Sequence, residues 1–354
     1  MSHSYSVTQL GWSALFSQQL ALEDLQAAHP ARVVAVHRSH VDVLGENDAA
    51  NVVIPPHLFV PEGQVPLTVG DWVLIENVAP RVLKVLERRS LIARMAAGIE
   101  QRRQLIAANV DTLLIVTSCN QDFNLSRLER YLAVAPEGRV EPVVVLTKAD
   151  LCANSGEFVA AARSISGSAQ VIALDATSGD DVPCLEPWLT SGQTLALAGS
   201  SGVGKSTLTN TLLGAGEQVT QSIREDDGRG RHTTTSRQLF RLPGAAWVID
   251  TPGMRELKVG SIDAGLRATY LDIEQLAEQC RFRDCDHLNA AGCAILAAVD
   301  AGTLDRRRLD NYRKLQRESE RASRTLREQR ELERRWGRLH RNAQRVRRKD
   351  RGRS

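Results

Sequence analysis

The stretch from Gly199 to Ser206 has the residue types and spacing of a phosphate-binding loop. It reads GSSGVGKS, matches GxxxxGK[ST], and lies between the apolar run TLALA and the helical stretch STLTNTLL. In such loops the glycines let backbone N–H groups surround phosphate oxygens, the lysine approaches the β- and γ-phosphates, and the serine hydroxyl ligates Mg²⁺. The sequence therefore predicts a nucleoside triphosphate site, in which Lys205 is catalytic and Ser206 binds magnesium. The predicted nucleotide-binding residues here are Gly199, Ser200, Ser201, Gly202, Val203, Gly204, Lys205, Ser206 and Thr207.

A second phosphate motif, DTPG, follows the apolar run AAWVI. A carboxylate at the end of such a strand lies at the carboxyl edge of the sheet, where a magnesium ligand is needed. We therefore predict that Asp250 assists in holding magnesium and that the Gly253 N–H meets the γ-phosphate. Met254 follows, at the place where many GTPases carry the glutamine that orients water. Slow intrinsic hydrolysis is the expected consequence.

The quartet TKAD follows the apolar run VVVL and is a candidate guanine-reading motif. A carboxylate at Asp150 can accept hydrogen bonds from guanine N1 and N2, which adenine does not supply, while the stem of Lys148 lies across the base. The motif predicts GTP rather than ATP. Thr147 stands where Asn is usual, and an ordinary loop after a strand is the alternative interpretation.

The segment GRGRHTTT, over residues 228–235, is rich in glycine and charge and is placed between the two phosphate motifs. It is the candidate switch, in which a threonine contacts magnesium and the γ-phosphate. The sequence does not distinguish Thr233, Thr234 and Thr235, and Thr234 is our candidate. His232 is a candidate for orienting or deprotonating the attacking water, and a surface or phosphate-contacting histidine is the alternative.

The order of these motifs along the chain is unusual. In an ordinary GTPase the phosphate-binding loop precedes the guanine-reading motif, whereas TKAD at 147 here precedes the loop at 199 and DTPG follows at 250. The same sheet can form from either order, because strands adjacent in space need not be adjacent in sequence. The order predicts a circularly permuted GTPase.

Three cysteines and a histidine form a separate candidate metal site. Cys280, Cys285, His287 and Cys293 have the spacing C-x4-C-x-H-x5-C. Cys3His is a typical ligand set of closed structural zinc sites, which lack a vacant position for catalysis. We predict one structural Zn²⁺ that folds a small domain. Cys119, Cys152 and Cys184 lack such neighbours in the sequence and are expected to be free thiols.

The surrounding pattern predicts the elements that position these motifs. Residues 31–86 contain short strands broken by turn signals, typical of a small OB-type β-barrel that either binds oligonucleotides or serves as a docking surface. From Leu105, apolar strands alternate with helical stretches, which predicts a parallel sheet with helices on both faces. The predicted fold is multidomain α/β: an N-terminal extension (1–30), the barrel (31–90), the permuted GTPase domain (95–260), a helical zinc-binding domain (261–304) and a basic helical tail (305–354).

Length and charge agree with several units and an anionic partner. A chain of 354 residues exceeds what one core usually organises. Residues 305–354 contain 20 Lys and Arg against 8 Asp and Glu, a net +12, while the rest of the chain carries −9. Charge concentrated in this way favours a polyanion such as RNA, although a solvated helical face is an alternative. No apolar run reaches a membrane-spanning length, so we expect a cytoplasmic protein without membrane association.

Together, the barrel, TKAD, GSSGVGKST, GRGRHTTT, DTPG and the cysteine module resemble the ribosome small subunit-dependent GTPase A (RsgA) family, which are circularly permuted GTPases of bacteria. The resemblance implies binding to the small ribosomal subunit and its 16S rRNA during late maturation, and GTP hydrolysis to GDP stimulated by the subunit. It also implies that the Ala176 N–H contacts guanine, and a monomer is expected. The rival interpretation is a nucleotide-gated RNA-binding or scaffold protein with incidental turnover.

Overall fold

The computed structural model describes residues 5–37, 39–46, 49–58, 67–95, 103–214, 238–250 and 262–323. The side chains of His57, Met95, Arg103 and Asp250 are not part of that description. The predicted switch residues His232 and Thr234 lie outside the described residues, as do Gly253 and the tail beyond residue 323.

Five N-terminal strands pair into a closed arrangement. They are β1 (Ala28–Val36), β2 (His40–Leu44), β3 (Ala49–Val53), β4 (Trp72–Glu76) and β5 (Val82–Val85). The antiparallel order is β3-β2-β1-β4-β5, and a parallel bridge between Val53 and Arg81 joins β3 to the start of β5. Alternate residues of β2 face inward, so Val41 and Val43 are buried among the valines of β1 while His40 and Asp42 face outward.

The second part of the chain forms the predicted parallel sheet. Its strands are β8 (Thr112–Ser118), β9 (Glu141–Thr147), β10 (Gln170–Ala173), β11 (Thr194–Ala198), β12 (Gln238–Arg241) and β13 (Trp247–Asp250). The order is β10-β9-β8-β11-β13-β12, with all neighbours parallel except β12, which runs antiparallel to β13. Every residue of β8 and β11 is buried, as expected for central strands covered on both faces.

Three helices accompany this sheet, namely α3 (Leu125–Glu137), α4 (Ser155–Ser166) and α5 (Lys205–Leu213). Each lies between two strands of the sheet, as the predicted alternation of apolar strands and helical stretches requires. Asn124 caps α3, because its side-chain oxygen accepts a hydrogen bond from the Arg127 N–H at 2.9 Å. The cap places the start of α3 at the carboxyl end of β8, on the edge of the sheet that carries the phosphate-binding loop.

Smaller elements connect these parts. The N-terminal segment contains α1 (Ala14–Ser17) and α2 (Leu22–Ala27), and β6 (Leu91–Met95) pairs with β7 (Arg103–Ala108) as a separate hairpin. Short 3-10 helices cover Pro56–Leu58 and Gly179–Trp188. No helix among the described residues combines the length and apolar character needed to cross a lipid bilayer.

The barrel strands and the parallel sheet join into one sheet of 11 strands, a union that the sequence did not predict. β1 pairs antiparallel with β12 at Ala35 and Gln238. Nearby, the buried guanidinium of Arg32 donates to the carbonyls of Leu10 and Asn109 and to the Thr194 hydroxyl. Burial lowers the pKa of Arg32 to about 10, so the side chain remains charged at neutral pH. The N-terminal strands are therefore hydrogen-bonded to the parallel sheet through backbone and side chain.

The C-terminal unit consists of α6 (Asp263–Thr269), α7 (Leu271–Ala277), α8 (Ala294–Asp300) and a helix over 306–323, which we label α9. Its contact with α3 centres on Glu129, whose side chain is fully buried. The Glu129 carboxylate accepts hydrogen bonds from Tyr270, Arg307, Arg308 and Asn311 at 2.6 to 3.2 Å. Burial and the adjacent carboxylate raise the pKa of Tyr270, which therefore stays a neutral donor. The buried Glu129 carboxylate thus joins α3 to the C-terminal unit through two cations and two neutral donors.

Glu129→Gln should strongly destabilise this contact. The amide removes the buried negative charge that both guanidinium groups share and turns an NH2 donor toward them. Arg308 still pairs with Asp272 and Arg307 with Asp305, so we expect a loss of about 3 kcal/mol, the lower end for a broken buried ion pair. Urea unfolding should show that loss. Glu318→Gln is the matched control, because Glu318 pairs with Arg130 at a partly exposed position and its loss should cost under about 1 kcal/mol. Equal effects of the two variants would contradict this account of Glu129.

Candidate functional site

The loop from Gly199 to Ser206 follows β11 and has a backbone that only glycine adopts easily. Gly199, Gly202 and Gly204 all have positive φ, at 146°, 80° and 90°. A Cβ added to Gly199 would lie 2.2 Å from the carbonyl oxygen of Val116, on the neighbouring strand β8. Because a side chain here would collide with backbone rather than with a movable group, the loop must begin with glycine.

The loop leads directly into α5, whose first turn suits an anion. Gly204 is the N-cap residue of α5, and no side chain caps that helix. Uncapped N–H groups and the positive end of the helix dipole favour a phosphate. Lys205 begins the helix, and its ammonium group donates to the carbonyl oxygen of Ser200 across the loop. The loop residues therefore fit the triphosphate and Mg²⁺ that the motif predicts, with the Ser206 hydroxyl on the first helical turn.

The TKAD motif is attached to this loop by two side chains. The buried Thr147 hydroxyl donates to the Val203 carbonyl oxygen at 2.7 Å, and the Thr117 carbonyl oxygen, at 3.1 Å, is its alternative acceptor. Lys148, in the left-handed conformation with φ of 57°, donates from its ammonium group to the Gly202 carbonyl oxygen at 2.9 Å. Thr147 thus links the end of β9 to the phosphate-binding loop. Although Asn is usual at this position, the threonine also connects the two motifs.

Thr147→Val should weaken nucleotide binding without unfolding the chain. Valine keeps the shape but leaves the Val203 carbonyl without its hydroxyl donor, which costs roughly 1–3 kcal/mol at a buried site. We expect GDP affinity, measured by titration calorimetry, to fall about 10-fold. Thr147→Ser retains the hydroxyl and should stay within about 3-fold of the parent. If valine and serine bind GDP equally well, the hydroxyl is not the link between the motifs.

The predicted base-reading residues lie beside this junction. The Leu174 N–H donates to the Leu146 carbonyl at 2.9 Å, which holds the 174–176 loop against the end of β9. The Ala176 carbonyl accepts from the Thr211 hydroxyl of α5 at 2.6 Å. Asp150 is exposed at the start of the following turn. The structure therefore brings the loop that contains Ala176, the TKAD motif and the phosphate-binding loop to one edge of the sheet.

Sequence reasoning missed one cation at this edge. The Arg127 guanidinium, at the start of α3, donates to the Ser200 hydroxyl in the phosphate-binding loop. Within the described part of the chain, no carboxylate forms an ion pair with Arg127. The position of Arg127 in the sequence could have indicated this contact. The first turn of a helix that follows a parallel strand lies at the carboxyl edge of the sheet, next to the phosphate-binding loop.

Four side chains of the C-terminal unit form the predicted cluster. The ligand atoms of Cys280, Cys285, His287 and Cys293 all lie within 4.8 Å of one another. Cys280 Sγ is 3.9 Å from Cys293 Sγ, and each of these two sulfurs is 3.6 Å from His287 Nδ1. A tetrahedral zinc ion requires about 3.8 Å between two sulfurs and about 3.6 Å between sulfur and nitrogen, from its bond lengths. The donor set and its spacing fit Zn²⁺.

Comparison with known proteins agrees with this arrangement. The RsgA GTPase family model matches residues 85–260. Small ribosomal subunit biogenesis GTPase RsgA 2 of Vibrio vulnificus is 48% identical over 97% of this chain and 96% of its own length. The chain belongs to the RsgA GTPase family. It is accordingly a GTP hydrolase. The RsgA protein of Mesorhizobium japonicum is also similar, with 43% identity over 90% of this chain and 91% of its own length.

Solved structures with the same fold support the topology of this RsgA family member. YjeQ from Thermotoga maritima has a TM-score of 0.60 and 24% identity, over 82% of this chain and 98% of that one. YloQ, described as a circularly permuted GTPase, has a TM-score of 0.57 and 22% identity, over 83% and 95% of the two chains. The predicted permutation is thereby confirmed, since β9, which ends in the TKAD motif, precedes the loop-bearing strand β11 in the sequence.

Proposed function

We propose that this GTPase binds the small ribosomal subunit late in its maturation and hydrolyses GTP to GDP and phosphate faster when it is bound. The observation that carries the proposal is the bonding of TKAD to the phosphate-binding loop in a chain whose full-length relatives are named small ribosomal subunit biogenesis GTPases. A guanine-reading strand fixed to a phosphate site is the arrangement that a GTP-controlled binding protein needs.

In the proposed site, one set of residues binds the guanine base and another binds the phosphates. Guanine is held by Asp150, by the Lys148 stem and by the Ala176 N–H, while Thr147 keeps the strand end on the loop. The phosphates occupy the 199–207 loop, and Lys205 leaves the Ser200 carbonyl to approach the β- and γ-phosphates. Its charge then offsets the negative charge that develops as water attacks the γ-phosphorus and the bond to the GDP oxygen breaks.

Magnesium and the attacking water complete the proposed site. Mg²⁺ supplies charge neutralisation at the phosphates, and Ser206, Asp250 and Thr234 would hold it. The Gly253 N–H would meet the γ-phosphate, and His232 would orient the water in place of the glutamine that Met254 replaces. Because methionine does not orient water by hydrogen bonding, basal turnover should be slow and should depend on the partner.

We also propose boundaries for the individual domains and one bound zinc ion. The pairing order β1-β2-β3 and β1-β4-β5, with the parallel bridge from β3 to β5, supports an OB-type barrel over 31–90 that follows an extension over 1–30. The GTPase domain covers 95–260, the zinc-binding domain 261–304 and the basic tail 305–354. The tetrahedral spacing of Cys280, Cys285, His287 and Cys293 supports one structural zinc ion.

The proposed partner is ribosomal RNA. Exposed Phe282, with Arg281 against its ring at 5.5 Å, offers a stacking face beside the cysteine cluster, and the net charge of residues 305–354 attracts phosphates. We propose that the protein contacts 16S rRNA as a monomer in the cytoplasm. The rival function is a nucleotide-gated RNA-binding protein with incidental turnover, which Met254 favours because it replaces the water-orienting residue.

A binding assay tests the proposed partner. The full chain is mixed with small or large ribosomal subunits and pelleted through sucrose, with a non-hydrolysable GTP analogue, GDP or no nucleotide. We expect co-sedimentation with small subunits, strongest with the GTP analogue. Equal binding to both subunits in all three conditions would contradict the proposal and favour general RNA binding.

A further inference from the structure

We propose that His37, His40 and Asp42, on the outer face of the barrel, form a second site for a divalent transition-metal ion such as Zn²⁺. One ligand atom from each of the three residues lies within 4.8 Å of the other two. The group is far along the chain from the Cys3His cluster, and its ligand set, two imidazoles and a carboxylate, is different. The inference does not depend on the proposed ribosomal function.

The β1–β2 hairpin brings the three residues together. Val36 pairs with Val41 and Ala35 with Asp42, and the His37 N–H donates to the His40 carbonyl at 3.0 Å to close the turn. His40 and Asp42 are separated by one residue in β2, so both project from the outer face while Val41 is buried between them. The backbone register therefore sets the spacing of the ligands.

Side-chain contacts hold the three groups next to one another. His37 Nε2 lies 2.9 Å from Asp42 Oδ2, and the imidazoles of His37 and His40 stack with ring centres 4.4 Å apart. Because an imidazole binds a metal ion in its own ring plane, one of the two stacked rings must turn for both to bind the same ion. Asn51, which pairs with Asp42 across β2 and β3, donates to Asp42 Oδ1 at 2.9 Å. A ligand whose second oxygen is held by a neighbour has little freedom to turn away, as in established metal sites.

The ligand types suit a transition metal better than a hard cation. Neutral imidazole and carboxylate are ligands that Zn²⁺, Co²⁺ and Ni²⁺ accept, whereas Ca²⁺ and Mg²⁺ prefer oxygen alone. Metal–ligand bonds of about 2.0–2.1 Å place tetrahedral ligand atoms about 3.4 Å apart. The His37–Asp42 separation of 2.9 Å would thus open by only about 0.5 Å. Side-chain exposures of 39% for His37 and 41% for Asp42 leave room for a water as fourth ligand.

The site lies where the barrel meets the GTPase sheet. Ala35 pairs both with Asp42 in β2 and with Gln238 in β12. An ion bound to the hairpin would therefore fix the end of β1 next to the strand pairing that joins the two parts of the molecule. The expected consequence is a local stiffening of the hairpin, which hydrogen exchange of residues 36–42 would report.

Metal stoichiometry tests the proposal. Full-length protein is dialysed with micromolar Zn²⁺ and the zinc content is measured by mass spectrometry for the parent, His40→Ala and His29→Ala. We expect one equivalent less in His40→Ala and no change in His29→Ala, because the His29 side chain lies outside the cluster and bonds to the Asn77 side chain at 2.9 Å. The Cys3His cluster contributes equally to all three and cancels from the difference.

Asp42→Asn is a second test variant, and it retains the shape of the cluster. The amide can still bond to His37 but is a neutral, weaker ligand, so zinc affinity at this site should fall at least 10-fold. Equal zinc content in the parent, His40→Ala and Asp42→Asn would overturn the proposal and leave a plain His–Asp hydrogen bond. A second equivalent that appears only at millimolar zinc would also overturn it, as adventitious binding.

Discussion

Asp150→Asn should shift the nucleotide preference of this GTPase from GTP to xanthosine triphosphate. In the proposed site the Asp150 carboxylate accepts hydrogen bonds from guanine N1–H and from the exocyclic amine, whereas an asparagine amide turns one acceptor into a donor. The asparagine NH2 group then faces the guanine exocyclic NH2 group, and neither donor has an acceptor. We expect this to cost roughly 3 kcal/mol, or about 100-fold in GTP affinity. Xanthine has a carbonyl in place of that amine, so it accepts from the asparagine instead.

Competition binding against labelled GDP measures the shift for guanosine, xanthosine and adenosine nucleotides. Asp300→Asn is the control, because Asp300 is also exposed but ends α8 in the C-terminal unit. It should keep the parental order of affinities. An Asp150→Asn protein that still prefers GTP, or that loses all nucleotides alike, would show that Asp150 does not read the base.

Cys293→Ser should remove one equivalent of zinc and unfold much of the C-terminal unit. The Cys293 side chain is buried at the start of α8, and two of its three ligand neighbours lie at 3.6 and 3.9 Å. A structural zinc ion supplies about 10–16 kcal/mol of binding free energy, which is folding free energy when the apo site does not form alone. Its loss exceeds what the short helices α7 and α8 can replace.

Limited proteolysis and zinc content together measure this effect. Cleavage in the 270–304 region should become rapid in Cys293→Ser, and chelation of the parent protein should reproduce it. Cys184→Ser is the matched control, since Cys184 is an exposed free thiol outside the cluster. Full zinc content and unchanged protease resistance in Cys293→Ser would contradict a structural site.

The motifs and their strands were predictable because they are local. TKAD and the phosphate-binding loop each follow an uninterrupted apolar strand, and helices α3 and α4 show their apolar spacing in the sequence. The permutation followed from motif order alone. Even the cysteine cluster was predictable, because its four ligands lie within fourteen residues.

The features that were not predicted depend on distant contacts. β12 is only four residues long and pairs with β1 across about 200 residues of chain, so no local pattern marks the continuous sheet. Glu129 looks like an ordinary helical carboxylate, and its partners in α9 lie 178 to 182 residues away. The role of Thr147 required the position of the Val203 carbonyl, which only the folded loop supplies.

GTP turnover by the purified chain, alone and with small or large ribosomal subunits, tests the central claim most directly. We expect slow basal turnover, since Met254 does not orient water. We also expect a rise of orders of magnitude with small subunits, no comparable rise with large subunits, and no turnover of ATP. Turnover that neither subunit stimulates would contradict the account and favour a nucleotide-gated binding protein with another partner.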